Sequence, residues 1–349
     1  MTLSTVRFAV DILALSSIVH SQDRSDADGA DTVALFRREK ILTPDGRAAW
    51  VPVVSGNAFR GVLRRIGEEL TAGILNYEDK LPIPAAHLLT NGGRPGKTNR
   101  PMTDQQEREL KELLPIVGVF GGSASGRILS GRLTVGKVLP EFCELEHLLH
   151  RPPQSTLRPA ILSMSEEPFA HLDDHNSTAP AAPEPTDEEN RGRARRNERT
   201  SPLGIFRVQT LPAGTRLQAW AQLTNATDNE VSFFCDVLNA FAERGHLGGR
   251  SAVGHGSITA TVTPTVLRGD ESTVLALLDK FGATAGGGTW VARGHSTHEQ
   301  VVDALVGFGF TPERVEEVAD KVLANPSVDW AAQLAKKRRS AMKALGNLT

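Results

Sequence analysis

Strict alternation marks the first element of the chain. Val6, Phe8, Val10 and Ile12 interleave with Arg7, Ala9 and Asp11, the period of two that a half-buried strand requires, so a strand is predicted over residues 5–15. A short extended piece, Trp50 to Val54, then leads into a longer period. Phe59, Val62, Leu63, Ile66 and Leu70 recur at helical spacing while Arg60, Arg64 and Glu68 fall on another face, which predicts a helix over 57–70. Ser55-Gly56-Asn57 stands in front of it, where small polar residues cap orphan amides. Strands are predicted over 127–138, 216–224 and 257–266, and a helix over 229–244 with Val231, Phe234, Leu238 and Phe241 on one face. Residues 266–349 read as helical, with Val301, Leu305, Val315, Val318 and Val322 at helical spacings.

The order strand, helix, strand, then strand, helix, strand predicts an α+β fold, a ferredoxin-like (RRM-like) sheet with helices on one face. That order hosts many functions, so the segments inserted into it carry more information. Residues 16–46 are polar and hold Asp23, Asp26, Asp28 and Asp31; 91–101 and 116–130 are glycine-rich loops. Residues 170–202 are of low complexity: an acidic Pro/Ala-rich half (Glu184, Asp187, Glu188, Glu189) passes into an arginine-rich half. A segment of this composition buries too little apolar surface to order itself.

Charge changes the picture only locally. With a formal net charge of −2 the chain does not attract polyanions as a whole, so a nucleic-acid role requires concentrated cations. Arg60, Arg64 and Arg65 form one cluster; Arg191, Arg193, Arg195, Arg196 and Arg199 a second; Lys336, Lys337, Arg338 and Arg339 a third. Each is also compatible with a solvated face. Cys143 and Cys235 are the only cysteines and form no CxxC pair, which argues against a disulfide framework or thiolate zinc and fits a reducing cytoplasm. No apolar run approaches the roughly 20 residues that span a bilayer.

Residues 245–256, Gly-His-Leu-Gly-Gly-Arg-Ser-Ala-Val-Gly-His-Gly, are the strongest candidate site. Glycines there permit positive φ and let amides approach a phosphate; a tight structural turn would satisfy them equally. Arg250 and the second glycine loop at 118–126 favour phosphate contact, with His246 and His255 flanking. No GxxxxGK[ST] occurs, and the loop precedes a strand rather than opening a helix, which excludes a Walker or dinucleotide fingerprint. The second candidate is the start of the 57–70 helix. The Ser55 hydroxyl, free amides at the positive dipole end and nearby guanidiniums make an anion site there, with simple capping as the alternative. The ten histidines are scattered, Tyr77 is the sole tyrosine and the four tryptophans are dispersed. No stacking platform for bases is visible, which favours grip on a sugar–phosphate backbone over base reading.

These residues carry a resemblance. The stretch Trp50–Arg65 resembles the proline-glycine-serine-serine-leucine-arginine-glycine signature of RAMP proteins. Gln209–Thr215 is similar to the segment entering the second half of that family, and Leu247–Gly256 resembles its late glycine-rich loop. The three stand in order across residues 5–265 and look most like the backbone ("Cas seven") subunit of a class 1 CRISPR effector complex. The helical extension and the size point to a type IV system.

The resemblance implies a palm over residues 1–265, with fingers at about 71–115 and a thumb at about 157–208, followed by a helical extension over 266–349. It implies a non-catalytic scaffold for guide RNA (crRNA) that lines up copies of itself along the RNA backbone. Partners would be other CRISPR effector subunits and a complementary nucleic-acid target, without cofactor, metal or membrane. Asn57, Arg60 and Arg64 fall where the family's first helix meets RNA, Gly248, Gly249, Arg250 and Ser251 on its phosphate-facing loop, and Arg191, Arg193, Arg195, Arg196 and Arg199 in the thumb. The acidic Pro/Ala insert departs from a compact family thumb. In type III relatives an aspartate in the loop after the first strand cuts target RNA, and Asp31 stands at about that position, so a metal-dependent target-RNA endonuclease is the alternative. Asp23, Asp26 and Asp28 would have to add ligands, because a lone carboxylate holds a divalent metal weakly.

Overall fold

The predicted first strand is the centre of the main sheet. In the computed structural model, which describes residues 3–21, 33–77, 80–94, 96, 101–171, 204–270, 273, 277, 298–307, 310–324 and 329–348, β1 (Ser4–Ala14) alternates buried and half-buried residues along its whole length. It is followed by β2 (Val33–Ala34), the hairpin β3 (Arg38–Leu42) and β4 (Ala48–Pro52), and α1 (Gly56–Leu75). Three helices come next: α2 (Ile83–Thr90), α3 (Asp104–Leu113) and α4 (Pro115–Phe120). Short strands β5 (Gly122–Ala124), β6 (Arg127–Leu129), β7 (Leu133–Val135) and β8 (Leu139–Pro140) lead to α5 (Ala160–Ser163). β9 (Ser165–His171), β10 (Gly204–Thr210), β11 (Arg216–Ala226), α6 (Asp228–Arg244) and β12 (Ile258–Arg268) complete this part of the chain. The described helices of the extension are α7 (His298–Gly307), α8 (Pro312–Ala324), α9 (Trp330–Lys336) and α10 (Arg338–Gly346).

β1 pairs antiparallel with β11 on one side and β12 on the other, and β7 joins beyond β11. Setting aside the two-residue β8, which also pairs with β11, and counting the remaining strands in chain order, that is fourth, first, third, second: the ferredoxin-like arrangement. The apolar residues of β1 bury against α1 and α6. Phe8 meets Phe234 edge-on at 5.3 Å, and Phe59 of α1 meets Phe241 of α6 at 5.6 Å. Thr227 and Glu230 close a capping box at the start of α6. The almost fully buried Glu230 carboxylate also takes an ion pair from Arg132 at 2.9 Å.

Two predictions need correction. The strand expected over 127–138 is two short strands, β6 and β7, broken where Gly131 packs against the backbone of α4; a Cβ there would lie 2.6 Å from the Val119 carbonyl. The glycines of 118–126 serve packing and turning, not phosphate approach. Gly118 is buried inside α4 against the Glu230 carboxylate, and Gly121, at φ +59, abuts Gly131 and Leu129.

The extension is anchored by one residue above others. Trp330 of α9 is 2% exposed, stands edge-on to Phe233 at 4.8 Å and donates its indole N–H to Asp236 Oδ2 at 2.7 Å. Arg338 donates to the Leu75 carbonyl at the end of α1 at 2.9 Å. No helix among the described residues is long and apolar enough to cross a membrane. Trp330→Ala is expected to remove about 3 kcal/mol of docking energy. Hydrogen exchange should then show α9 and α10 opening while β1 and β11 keep their protection.

Candidate nucleic-acid interface

Four segments meet beyond the carboxyl end of β1. The turn that follows it, residues 15–21, exchanges backbone bonds with Leu211, just past β10, through Ile18 (2.8 and 3.0 Å). It accepts the Gly249 amide at Val19 O and the Gly256 amide at Ser17 O, each at 2.8 Å. It reaches α1 through His20, whose Nε2 accepts the Ser55 N–H at 3.3 Å. His20 is therefore an organising acceptor between the turn and α1.

The glycine loop follows from this close approach. Gly245 ends α6 in the left-handed region (φ +56) and its amide returns to Phe241 O. Gly248 sits at φ +99, and a Cβ there would lie 2.6 Å from the Val19 carbonyl. Beyond it Arg250, with φ +60, opens a short 3-10 turn, Ser251–Val253, closed by Gly254 at φ +89. Residues 249–254 are all exposed, forming a crown on the loop. The Arg250 guanidinium lies 4.5 Å from the centroid of the Phe169 ring on β9. Phe169 in turn lies 5.5 Å from the ring of His255, whose Nδ1 is 2.9 Å from Ser17 Oγ. Arginine, phenylalanine and histidine thus tie the loop to the β9–β10 hairpin.

At the start of α1 the Ser55 hydroxyl accepts the Ala58 amide at 3.2 Å, so it is committed to the cap. Asn57 is exposed, and the first turn contains no acidic residue. Farther along, the arginines turn inward. Arg64 is 5% exposed and donates to Leu88 O at 2.7 Å, Phe120 O at 3.0 Å and Gly121 O at 2.5 Å. Arg60, half-buried, donates to Phe120 O at 2.5 Å. Burial, with the Arg60 charge second, pulls the Arg64 guanidinium down to about 10, and burial lowers Arg60 as well. Both remain cations at neutral pH, satisfied by carbonyls at the negative end of α4 and, for Arg64, also of α2.

Comparison with known proteins places the chain. The model of the RAMP superfamily matches residues 37–259. The chain belongs to the RAMP superfamily. This RAMP protein is also similar to a chain of a solved Type IV-B CRISPR complex, at 46% identity and a TM-score of 0.52, over 76% of the present chain and 93% of that one. A shorter likeness, 99 residues at 42% identity, links it to the Holliday junction branch migration complex subunit RuvA of Mycolicibacterium smegmatis. The corresponding subunit of Mycolicibacterium gilvum is 41% identical over 99 residues. These alignments take in 28% of the RAMP chain and 49% of each relative, so it spans about half the length of the curated relatives it matches.

The expected contact residues of the RAMP protein fall into three groups. Asn57, Gly249, Arg250 and Ser251 are exposed, and Gly248 beside them is half-buried. Ser55, Arg60, Arg64 and His255 are engaged within the protein, and for Arg64 and His255 the burial corrects the expectation that they face a ligand: at 5% and 6% exposure they hold α4 and the turn after β1. Asp31, Arg191, Arg193, Arg195, Arg196 and Arg199 lie outside the described residues. Ser17, Val19, His20 and Phe169 were not singled out by the sequence as contacts, since each matters through a partner distant in the chain. Arg64→Ala should cost about 3 kcal/mol, because three carbonyls lose a charged donor, whereas Arg250→Ala should cost no more than about 1 kcal/mol, the worth of its stack on Phe169. Denaturant midpoints of the two variants check the difference.

Proposed function

We propose that this RAMP protein is a non-catalytic backbone subunit of a type IV CRISPR ribonucleoprotein, holding guide RNA by its phosphates and aligning further copies of itself along that strand. The likeness to a chain of the Type IV-B CRISPR complex, at 46% identity over 93% of that chain, carries this reading. The exposed crown at Gly249–Gly254 supports it. Arg250 takes no ion pair among the described residues, and it stays exposed while stacked on Phe169. A guanidinium so placed makes bidentate contact with a phosphate at low entropic cost. Asn57, exposed in the first turn of α1, adds a second contact. The β9–β10 hairpin takes the place of the thumb, the arginines from 191 to 199 lie in the segment it encloses, and α2 and α3 take that of the fingers. The RuvA-like stretch covers too small a share of the chain to transfer the activity of that subunit.

The purified protein should bind unstructured RNA with little sequence preference, at a protein-to-RNA ratio that rises with RNA length. Its affinity should fall steeply with salt, by a slope of about 0.7 for each phosphate neutralised. Arg250→Glu should weaken binding and flatten that slope by about one contact. Salt titrations by fluorescence anisotropy read both, and an unchanged slope in Arg250→Glu would remove the crown from the interface. The purified complex, incubated with complementary RNA and magnesium, should leave the RNA intact; cleavage that disappears in Asp31→Ala would establish the endonuclease alternative instead.

A further inference from the structure

The β3–β4 hairpin shows a second surface. Its inner face, through Glu39, Ile41 and Val53 just beyond it, closes a cavity of about 380 Å³ against Trp220 and the β7–β8 segment. Its outer face presents Arg38, Lys40 and Leu42 from β3 and Ala48 and Trp50 from β4, all exposed. In the register Lys40 lies directly opposite Trp50, and Leu42 opposite Ala48. Trp50 is 64% exposed on a strand fixed by five cross-strand pairs, so its indole is displayed on a rigid support.

We propose that this outer face is a stacking platform for single-stranded nucleic acid: one base lies on the Trp50 indole while Lys40 and Arg38 hold the neighbouring phosphates. The proposal rests on the scaffold reading above and extends it to base contact, which the dispersed tryptophans of the sequence did not suggest. Charge selects the occupant. Neither Arg38 nor Lys40 takes an ion pair among the described residues. Glu39 points inward and pairs with Lys137, and Asp45 at the hairpin turn is tied to Arg47 at 2.6 Å. A protein covering Trp50 would have to desolvate Lys40 and supply a carboxylate, whereas a polynucleotide brings a π-face and an anion together. Leu42 and Ala48 extend the apolar footing along the hairpin.

The platform is also continuous with the crown's support. Arg37 donates its amide to His20 O at 2.8 Å, and the Arg38 guanidinium reaches Gln209 Oε1 of β10 at 3.4 Å. The hairpin is therefore pinned to the turn that holds the glycine loop. A strand leaving the crown along β10 would arrive at Arg38 first and Trp50 next.

Binding of the full chain to the hexanucleotides rU6 and dT6, too short to seat neighbouring copies, tests this by anisotropy. Trp50→Ala should weaken binding by about fivefold or more, the lower end of what one stacked base contributes. Trp50→Phe should stay within about twofold of wild type, because a π-face is kept. Preference for rU6 over dT6 would assign the platform to RNA, and the reverse to a DNA strand. If Trp50→Ala binds like wild type while Arg250→Glu does not, the scaffold reading stands and the platform is wrong. If Trp50→Ala instead changes the sedimentation of the RNA-free protein and leaves hexanucleotide binding alone, the face is a contact between copies, which equally overturns it. Failure of the wild-type chain to bind either oligonucleotide would sink both readings.

Discussion

The Val19 carbonyl sets how near the glycine loop can come to the turn after β1. It accepts the Gly249 amide at 2.8 Å, and at Gly248 it leaves no room for a Cβ. Everything exposed on the loop depends on that approach. Since the turn is a continuation of the central strand, and that strand is paired on both sides, the loop inherits the rigidity of the sheet. The same turn bonds to Ser55 and Leu211, so α1 and β10 are registered against one short backbone segment. A site assembled from elements far apart in sequence is thereby held by hydrogen bonds to one turn.

The arginines divide by environment rather than by position in a motif. Arg64 lies in the stretch whose sequence suggested ligand contact, yet it is inside the protein, satisfying three carbonyls. Burying a guanidinium costs several kcal/mol unless its donors are met, and the Phe120 and Gly121 carbonyls at the end of α4, with Leu88 O of α2, meet them. The pair therefore has one cause: α4 is only six residues long and ends at Gly121, so its carbonyls need external donors, and one turn of α1 supplies them. Arg250 has no such calls on it. Its cation is free to act outward because, among the described residues, it takes no ion pair and covers an aromatic face.

How much of this was readable in the sequence follows from the range of the interactions. β1, α1, β11, α6 and β12 match the predicted segments within a few residues at most ends, because periodicity and caps are local properties. Phe234 and Leu238 disappear into the core as the α6 pattern requires. The break at Gly131 was not legible, since its cause is the backbone of α4. Nor was the stack of Arg250, Phe169 and His255, in which the phenylalanine stands far along the chain from the other two. Glycine density marked both loops alike. Only the structure distinguishes one where glycines pack a helix from one where they admit a neighbouring carbonyl and leave a crown exposed.

The conformation of Arg250 carries the argument one step further. At φ +60 a residue with a Cβ costs about 1 kcal/mol relative to glycine, and glycines occupy the comparable positions at 248 and 254. Backbone geometry alone therefore favours glycine at 250 as well. The side chain restores part of that cost by stacking on Phe169, a contact worth about 0.5–1 kcal/mol at an exposed site. With the two terms nearly cancelling, the arginine gives the folded monomer no net stability. What it adds is a charge held in one direction, on a chain whose net charge of −2 supplies no general attraction for an anion. A cation that does not stabilise its own fold, fixed at the apex of a rigid loop, is placed to meet something outside the molecule.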